Sequence, residues 1–125
     1  MDEFTTISTD MDARGVVYLT LRRPEKKNAL SALMIAELTE FARKIAKEPS
    51  ARVVVLRGDG DVFCAGGDLD WMKAQINADR AGRMAEARKL AQMLKGLNEM
   101  PLPLIGGCRA GHLAVALGWH ACAMW

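Results

Sequence analysis

The hydrophobic and polar positions fall into short β-branched runs and longer helical stripes. Phe4-Thr5-Thr6-Ile7-Ser8-Thr9 reads as a strand, Asp12-Ala13-Arg14-Gly15 as a turn, and Val16-Val17-Tyr18-Leu19-Thr20-Leu21 as a second strand close enough to form a hairpin. Arg22 to Asn28 is polar and carries Pro24, so pairing should stop there. Ser31 suits a helix N-cap. Beyond it Met34, Leu38, Phe41 and Ile45 recur at helical spacing, with Glu37, Glu40, Lys44 and Lys47 elsewhere on the surface. Pro49 helps to end that helix. Val53-Val54-Val55-Leu56 is apolar without alternation, as expected of a buried strand. A second helix is expected over 82–98, with Ala87, Leu90, Leu94 and Leu97 on one face. Pro101 and Pro103 end it, and Leu104-Ile105-Gly106 begins another strand.

The order is therefore strand, strand, helix, strand, glycine loop, helix, strand. Helices that separate strands favour α/β architecture with parallel pairing. The glycine loop, Phe63-Cys64-Ala65-Gly66-Gly67-Asp68-Leu69, follows the buried strand and lies at its C-terminal end, where open α/β sheets place ligands. Paired glycines after a small residue permit positive φ and leave no side chain in the way. Backbone N–H groups are then free to face an approaching oxygen. A helix starting at Asp68, with Trp71 and Met72 in its first turn, would add its positive end. This is how a chain builds an oxyanion hole. Asp68 itself reads as the N-cap of that helix, whether or not the loop also binds a ligand.

Composition narrows the picture. A length of 125 residues fits one domain, and half of the residues are hydrophobic. The charge is nearly balanced, with 17 basic and 15 acidic residues, which gives no reason to expect a nucleic-acid surface. The acidic Met1-Asp2-Glu3 start is followed by no apolar signal segment, and no run is long enough to span a membrane. Three cysteines, an odd number, argue against a disulfide framework, so a cytoplasmic location is expected.

Four blocks carry a family resemblance: Arg23-Pro24-Glu25-Lys26-Lys27-Asn28-Ala29-Leu30, Val54-Val55-Leu56-Arg57-Gly58, Phe63-Cys64-Ala65-Gly66-Gly67-Asp68-Leu69 and Pro103-Leu104-Ile105-Gly106. In order and spacing they resemble the enoyl-CoA hydratase/isomerase (crotonase) family over residues 4–106. The resemblance implies a crotonase-like α/β fold of ββα-type units in a spiral sheet, present here as its N-terminal portion. It also implies an acyl-coenzyme A thioester substrate, no separate cofactor and no metal. Water would add across the 2,3-double bond through an enolate held by two backbone N–H groups. Gly67 would supply the first N–H, with Ala65, Gly66, Asp68 and Leu69 shaping the pocket. Lys27, Asn28 and Ala29 match the loop along the pantetheine and nucleotide of coenzyme A. Solvated loop lysines are the other reading of Lys26 and Lys27. Leu69-Asp70-Trp71-Met72 resembles the methylglutaconyl-CoA hydratase branch, which acts in leucine breakdown. Members of the family assemble as homotrimers or hexamers, and neither nucleic acid nor membrane is implied as a partner.

The resemblance stops after Gly106. Residues 107–125 hold both histidines, two of the three cysteines and two of the three tryptophans of the chain. Codons built across the junctions of this tail, from the third base of one codon and the first two of the next, permit Val-Gln-Gly-x-Ala-Phe-Gly-Gly-Gly-Val-Gly-x-Ala-Cys-x-Cys-Asp-Val. That is the family's next segment, whose triple glycine carries the second oxyanion N–H. The expectation is an out-of-frame tail over 107–125 and a crotonase-like portion over 1–106. The shifted register places glycine second after the triple glycine, where many hydratases carry one of two catalytic glutamates, so hydratase and isomerase chemistry both stay open. No acidic residue follows Glu99, so the tail offers no replacement for those glutamates, and little or no activity is expected of this polypeptide. A different reading takes Cys108, His112, His120 and Cys122 as a zinc ligand set. A third takes the chain as a fragment that docks on intact subunits.

Overall fold

The computed structural model describes residues 4–106. The expected tail, with the candidate zinc ligands Cys108, His112, His120 and Cys122, lies outside the described residues. The described residues form one four-stranded sheet with helices packed against it. Strand β1 (Ile7–Met11) pairs antiparallel with β2 (Val16–Leu21), from Ile7 opposite Leu21 to Met11 opposite Val17. Strand β3 (Val53–Gly58) lies parallel to β2, and β4 (Leu104–Gly106) lies parallel to β3, giving the order β1-β2-β3-β4.

Helix α1 (Ala32–Ile45) connects β2 to β3, as a parallel pair requires. Ser31 caps it, its hydroxyl oxygen accepting from the Met34 amide at 3.2 Å. Met34, Ile35, Leu38, Phe41, Ala42 and Ile45 are buried against Val17, Leu19, Leu21, Val54 and Leu56 of the sheet. Glu37, expected on the surface, is half-buried. Its carboxylate accepts from the Thr5 and Thr6 amides, each at 2.7 Å, and from the Thr6 hydroxyl. That claim on the Thr5 and Thr6 amides explains why β1 begins at Ile7 rather than at the expected Phe4, while pairing of Asp10 with Tyr18 and Met11 with Val17 carries it past the expected Thr9.

The glycine loop is followed by α2 (Leu69–Asn77), which starts at the expected cap Asp68, and by α3 (Arg80–Asn98), which starts two residues before the expected 82–98. Asp79 starts α3, its carboxylate accepting from the Gly82 amide at 2.7 Å. The inward face of α3 is made by Leu90, Met93, Leu94 and Leu97, while Ala87 is exposed. Among the described residues no helix is long and apolar enough to cross a membrane, and no group of three or more histidine, cysteine or acidic residues could hold a metal.

Candidate active site

The site is built from two segments that leave neighbouring parallel strands. After β2 the chain passes through a 3₁₀ turn at Pro24–Lys26 and then two consecutive left-handed residues, Lys27 (φ 53°) and Asn28 (φ 56°). Left-handed backbone costs roughly 1–2 kcal/mol per non-glycine residue, so the surroundings have to hold it. Asn28 is fully buried and shows how. Its Oδ1 accepts from the Arg23 amide at 2.7 Å, and its Nδ2 donates to the Asp59 and Val62 carbonyls, both at 2.8 Å. Asn28 thereby ties the 23–30 segment to the loop that follows β3.

That second loop is anchored by the buried side chains of Phe63 and Cys64. Burial pushes the Cys64 thiol up, against a smaller opposing pull from the Gly66 amide, so it stays protonated and inert at neutral pH. From Ala65 to Asp68 the loop runs alongside residues 27–30. The Ala65 amide donates to the Lys27 carbonyl at 3.0 Å, the Leu30 amide to Gly66 at 2.7 Å, and the Asp68 amide to Leu30 at 2.9 Å. Leu30 and Gly67 therefore form an isolated parallel bridge. In such a bridge the residues on either side of Gly67 bond to Leu30, so Gly67's own N–H and carbonyl point to the opposite edge. The Gly67 N–H has no acceptor among the described residues.

The positive φ expected of the paired glycines is needed at only one of them, Gly66 (φ 93°). A Cβ built on Gly67 would meet the Met72 side chain at an ordinary 3.4 Å. Gly67 is thus compatible with a small side chain, and its amide is what the loop presents.

Asp68 opens α2 as expected, accepting from the Trp71 amide at 3.1 Å. Its other oxygen accepts from Arg23 Nη2 at 3.1 Å, and Arg23 Nη1 donates to the Ala29 carbonyl at 2.7 Å. Burial pushes the Asp68 carboxyl up, but the Trp71 amide, the Arg23 guanidinium and the Asp70 amide together hold it below its ordinary value. The N-terminal end of α2, with its positive dipole end, lies immediately after Gly67.

A cavity of about 490 Å³ opens at this point. Of the expected site residues, Lys27, Ala29, Ala65, Gly67, Asp68 and Leu69 line it. Asn28 and Gly66 do not. The Asn28 side chain is committed to Arg23, Asp59 and Val62, and the Gly66 carbonyl to Leu30. Met72 and Lys73 of α2 also line the cavity and were not anticipated. Their signal was present in the Leu69, Met72, Lys73, Ile76 face of a short helix that the periodicity did not resolve.

Residues 12–117 match the model of the enoyl-CoA hydratase/isomerase family. The chain belongs to that family. The match runs past Gly106, the last residue of the four motif blocks. A protein named as a probable enoyl-CoA hydratase of Mycobacterium leprae is 35% identical over 108 residues, covering 84% of this chain and 40% of the relative. The 1,2-epoxyphenylacetyl-CoA isomerase of Escherichia coli is 32% identical over 110 residues, with 84% and 40% covered. The crystal structure of an enoyl-CoA hydratase from Mycobacterium smegmatis superimposes with a TM-score of 0.76 at 37% identity, covering 82% of this chain and 39% of that one. One from Shewanella pealeana gives 0.79 at 29% identity, with 83% and 39% covered. The fold is that of the crotonase family, and the chain spans about 40% of the length of the curated relatives it matches.

Proposed function

We propose that this chain carries the first wall of an acyl-coenzyme A site, in which the Gly67 N–H holds the thioester oxygen. The observation that carries the reading is Gly67, which lines a cavity beside the start of a helix and whose N–H is turned away from its bridge partner. Negative charge that develops on the thioester oxygen would meet an N–H fixed before the reaction begins, so little reorganisation is needed at the transition state. Lys26, Lys27 and Lys73 on the same cavity offer cations to the phosphates of coenzyme A, and the Ala29 segment lies along the pantetheine.

In the whole protein the reaction is hydration of a 2,3-double bond through an enolate, with the second N–H coming from the triple glycine of the shifted register. Isomerisation of an enoyl-CoA is the second reading. Relatives named as hydratases and as isomerases both match, and the shifted register places glycine where many hydratases hold a catalytic glutamate. The Leu69-Asp70-Trp71-Met72 run favours a branched acyl group of the kind formed in leucine breakdown. The intact parent would assemble as a trimer or hexamer.

The 125-residue polypeptide taken alone should bind a thioester without turning it over. Removing one oxyanion donor costs about 2.7–4 kcal/mol of transition-state stabilisation. Absence of the general acid and base removes roughly a further 100- to 10,000-fold. Calorimetric titration with crotonyl-CoA should therefore show saturable binding, while an absorbance assay of hydration stays at background. Turnover well above background would overturn the inactivity. An absence of binding would overturn the site.

A further inference from the structure

We propose that Arg23 is a positioning residue of the oxyanion site, keeping the carboxylate of Asp68 neutralised one residue from the Gly67 amide. This rests on the reading of Gly67 as the donor to the thioester oxygen. Asp68 is demanded by the local structure, since its side chain caps α2 at Trp71 and its amide closes the bridge to Leu30. A carboxylate at this position is nonetheless unfavourable for the proposed chemistry. It is buried, it lines the same cavity as Gly67, and its charge opposes the negative charge that the Gly67 N–H is placed to receive.

Arg23 resolves that conflict. Its guanidinium is itself largely buried, with its side chain 16% exposed against 8% for Asp68, so the pair is poorly screened by water. One nitrogen holds Asp68 at 3.1 Å while another holds the Ala29 carbonyl at 2.7 Å. The planar fork thus joins the two walls of the cavity and cancels the charge between them, which a single ammonium could do only in part. The lysines on the cavity do not take over this role, because no ion pair links any of them to Asp68 among the described residues.

Hydrogen exchange at the Gly67 amide tests this in the full 125-residue chain without ligand. Base-catalysed exchange leaves a transient negative charge on the peptide group, so its rate reads the potential that an oxyanion would feel. Gly67 N–H has no acceptor among the described residues, so its exchange needs no local opening. Arg23→Gln should slow Gly67 exchange roughly three- to tenfold, and the double variant Arg23→Gln/Asp68→Asn should return within about twofold of the original rate. A merely structural role predicts the opposite sign, since loosening speeds exchange at Gly67 and its neighbours. Unchanged or faster Gly67 exchange in Arg23→Gln, or a double variant that stays slow, would overturn the proposal. If Arg23→Gln loses its dispersed spectrum, Asp68→Asn decides, because asparagine also caps a helix well. That variant should speed Gly67 exchange alone, Arg23→Lys should fall between Arg23→Gln and the original rate, and no change in Asp68→Asn would overturn the role of Arg23. Addition of crotonyl-CoA to the same sample separates the two claims. A Gly67 amide that fails to respond contradicts the thioester reading and leaves the exchange rates to judge Arg23.

Discussion

Helices α1 and α3 pack against each other, yet they are built on different terms. Over 14 residues α1 buries six side chains in the sheet-facing core. Over 19 residues α3 buries only Met93 and Leu97, and α2 buries none. The first helix belongs to the scaffold that fixes β2 beside β3. The later helices begin at the site, and their apolar residues Leu69, Ile76 and Met84 are at least half exposed. The scaffold stores the stability, and the proposed chemistry sits on the loop between β3 and α2. The two meet at Asn28, which bonds the Asp59 and Val62 carbonyls after β3, and at Arg23, which bonds Asp68 in the glycine loop.

The largest effect should come from the scaffold. Phe41→Ala should destabilise the chain by about 3–5 kcal/mol, whereas Met84→Ala on α3 should stay within roughly 0.5 kcal/mol. Urea titrations of both variants measure the contrast, and equal losses would erase the distinction between the helices. A finer contrast lies within the loop. Gly66→Ala places a Cβ on a residue at φ 93° and should cost about 1–2 kcal/mol. Gly67→Ala meets only ordinary contacts at 3.4 Å and should change stability by less than about 0.5 kcal/mol. Comparable losses at both positions would mean that the loop needs two glycines for conformation.

The smallest effect should be seen in the pH dependence of stability. Asp68 is held below its ordinary carboxyl value in the folded chain, so the native state favours its ionised form. Its contribution is fully present above the unfolded value of about 3.9 and is lost as pH falls through the lower native value. Thermal unfolding followed through that acid range should show a shallower decline in Asp68→Asn than in the unaltered chain. An unchanged slope would place the acid sensitivity elsewhere.

Much of the fold was legible in the sequence because its signals are local. Ser31 and the Met34, Leu38, Phe41, Ile45 stripe located α1, and the unbroken apolar run located β3, because cap chemistry and helical period act over a few residues. The length of α2 and the start of α3 two residues early were hidden because neither glycine nor proline marks the junction, and Asp79 signals the start only once its bond to Gly82 is seen. Ala87 was misplaced for the same reason, since the packed face is set by contact with α1 rather than by period alone. The positive φ of the loop could be read from its paired glycines, and the structure places it at Gly66. The role of Arg23 could not, because its partner Asp68 lies 45 positions away. Only the fold brings them together.

The Gly67 amide is where the proposed site is decided. Its proton resonance should move downfield when crotonyl-CoA is added to the labelled chain and should stay in place with coenzyme A lacking an acyl group. An identical response to both, or none to either, would contradict the assignment of this N–H to the thioester oxygen.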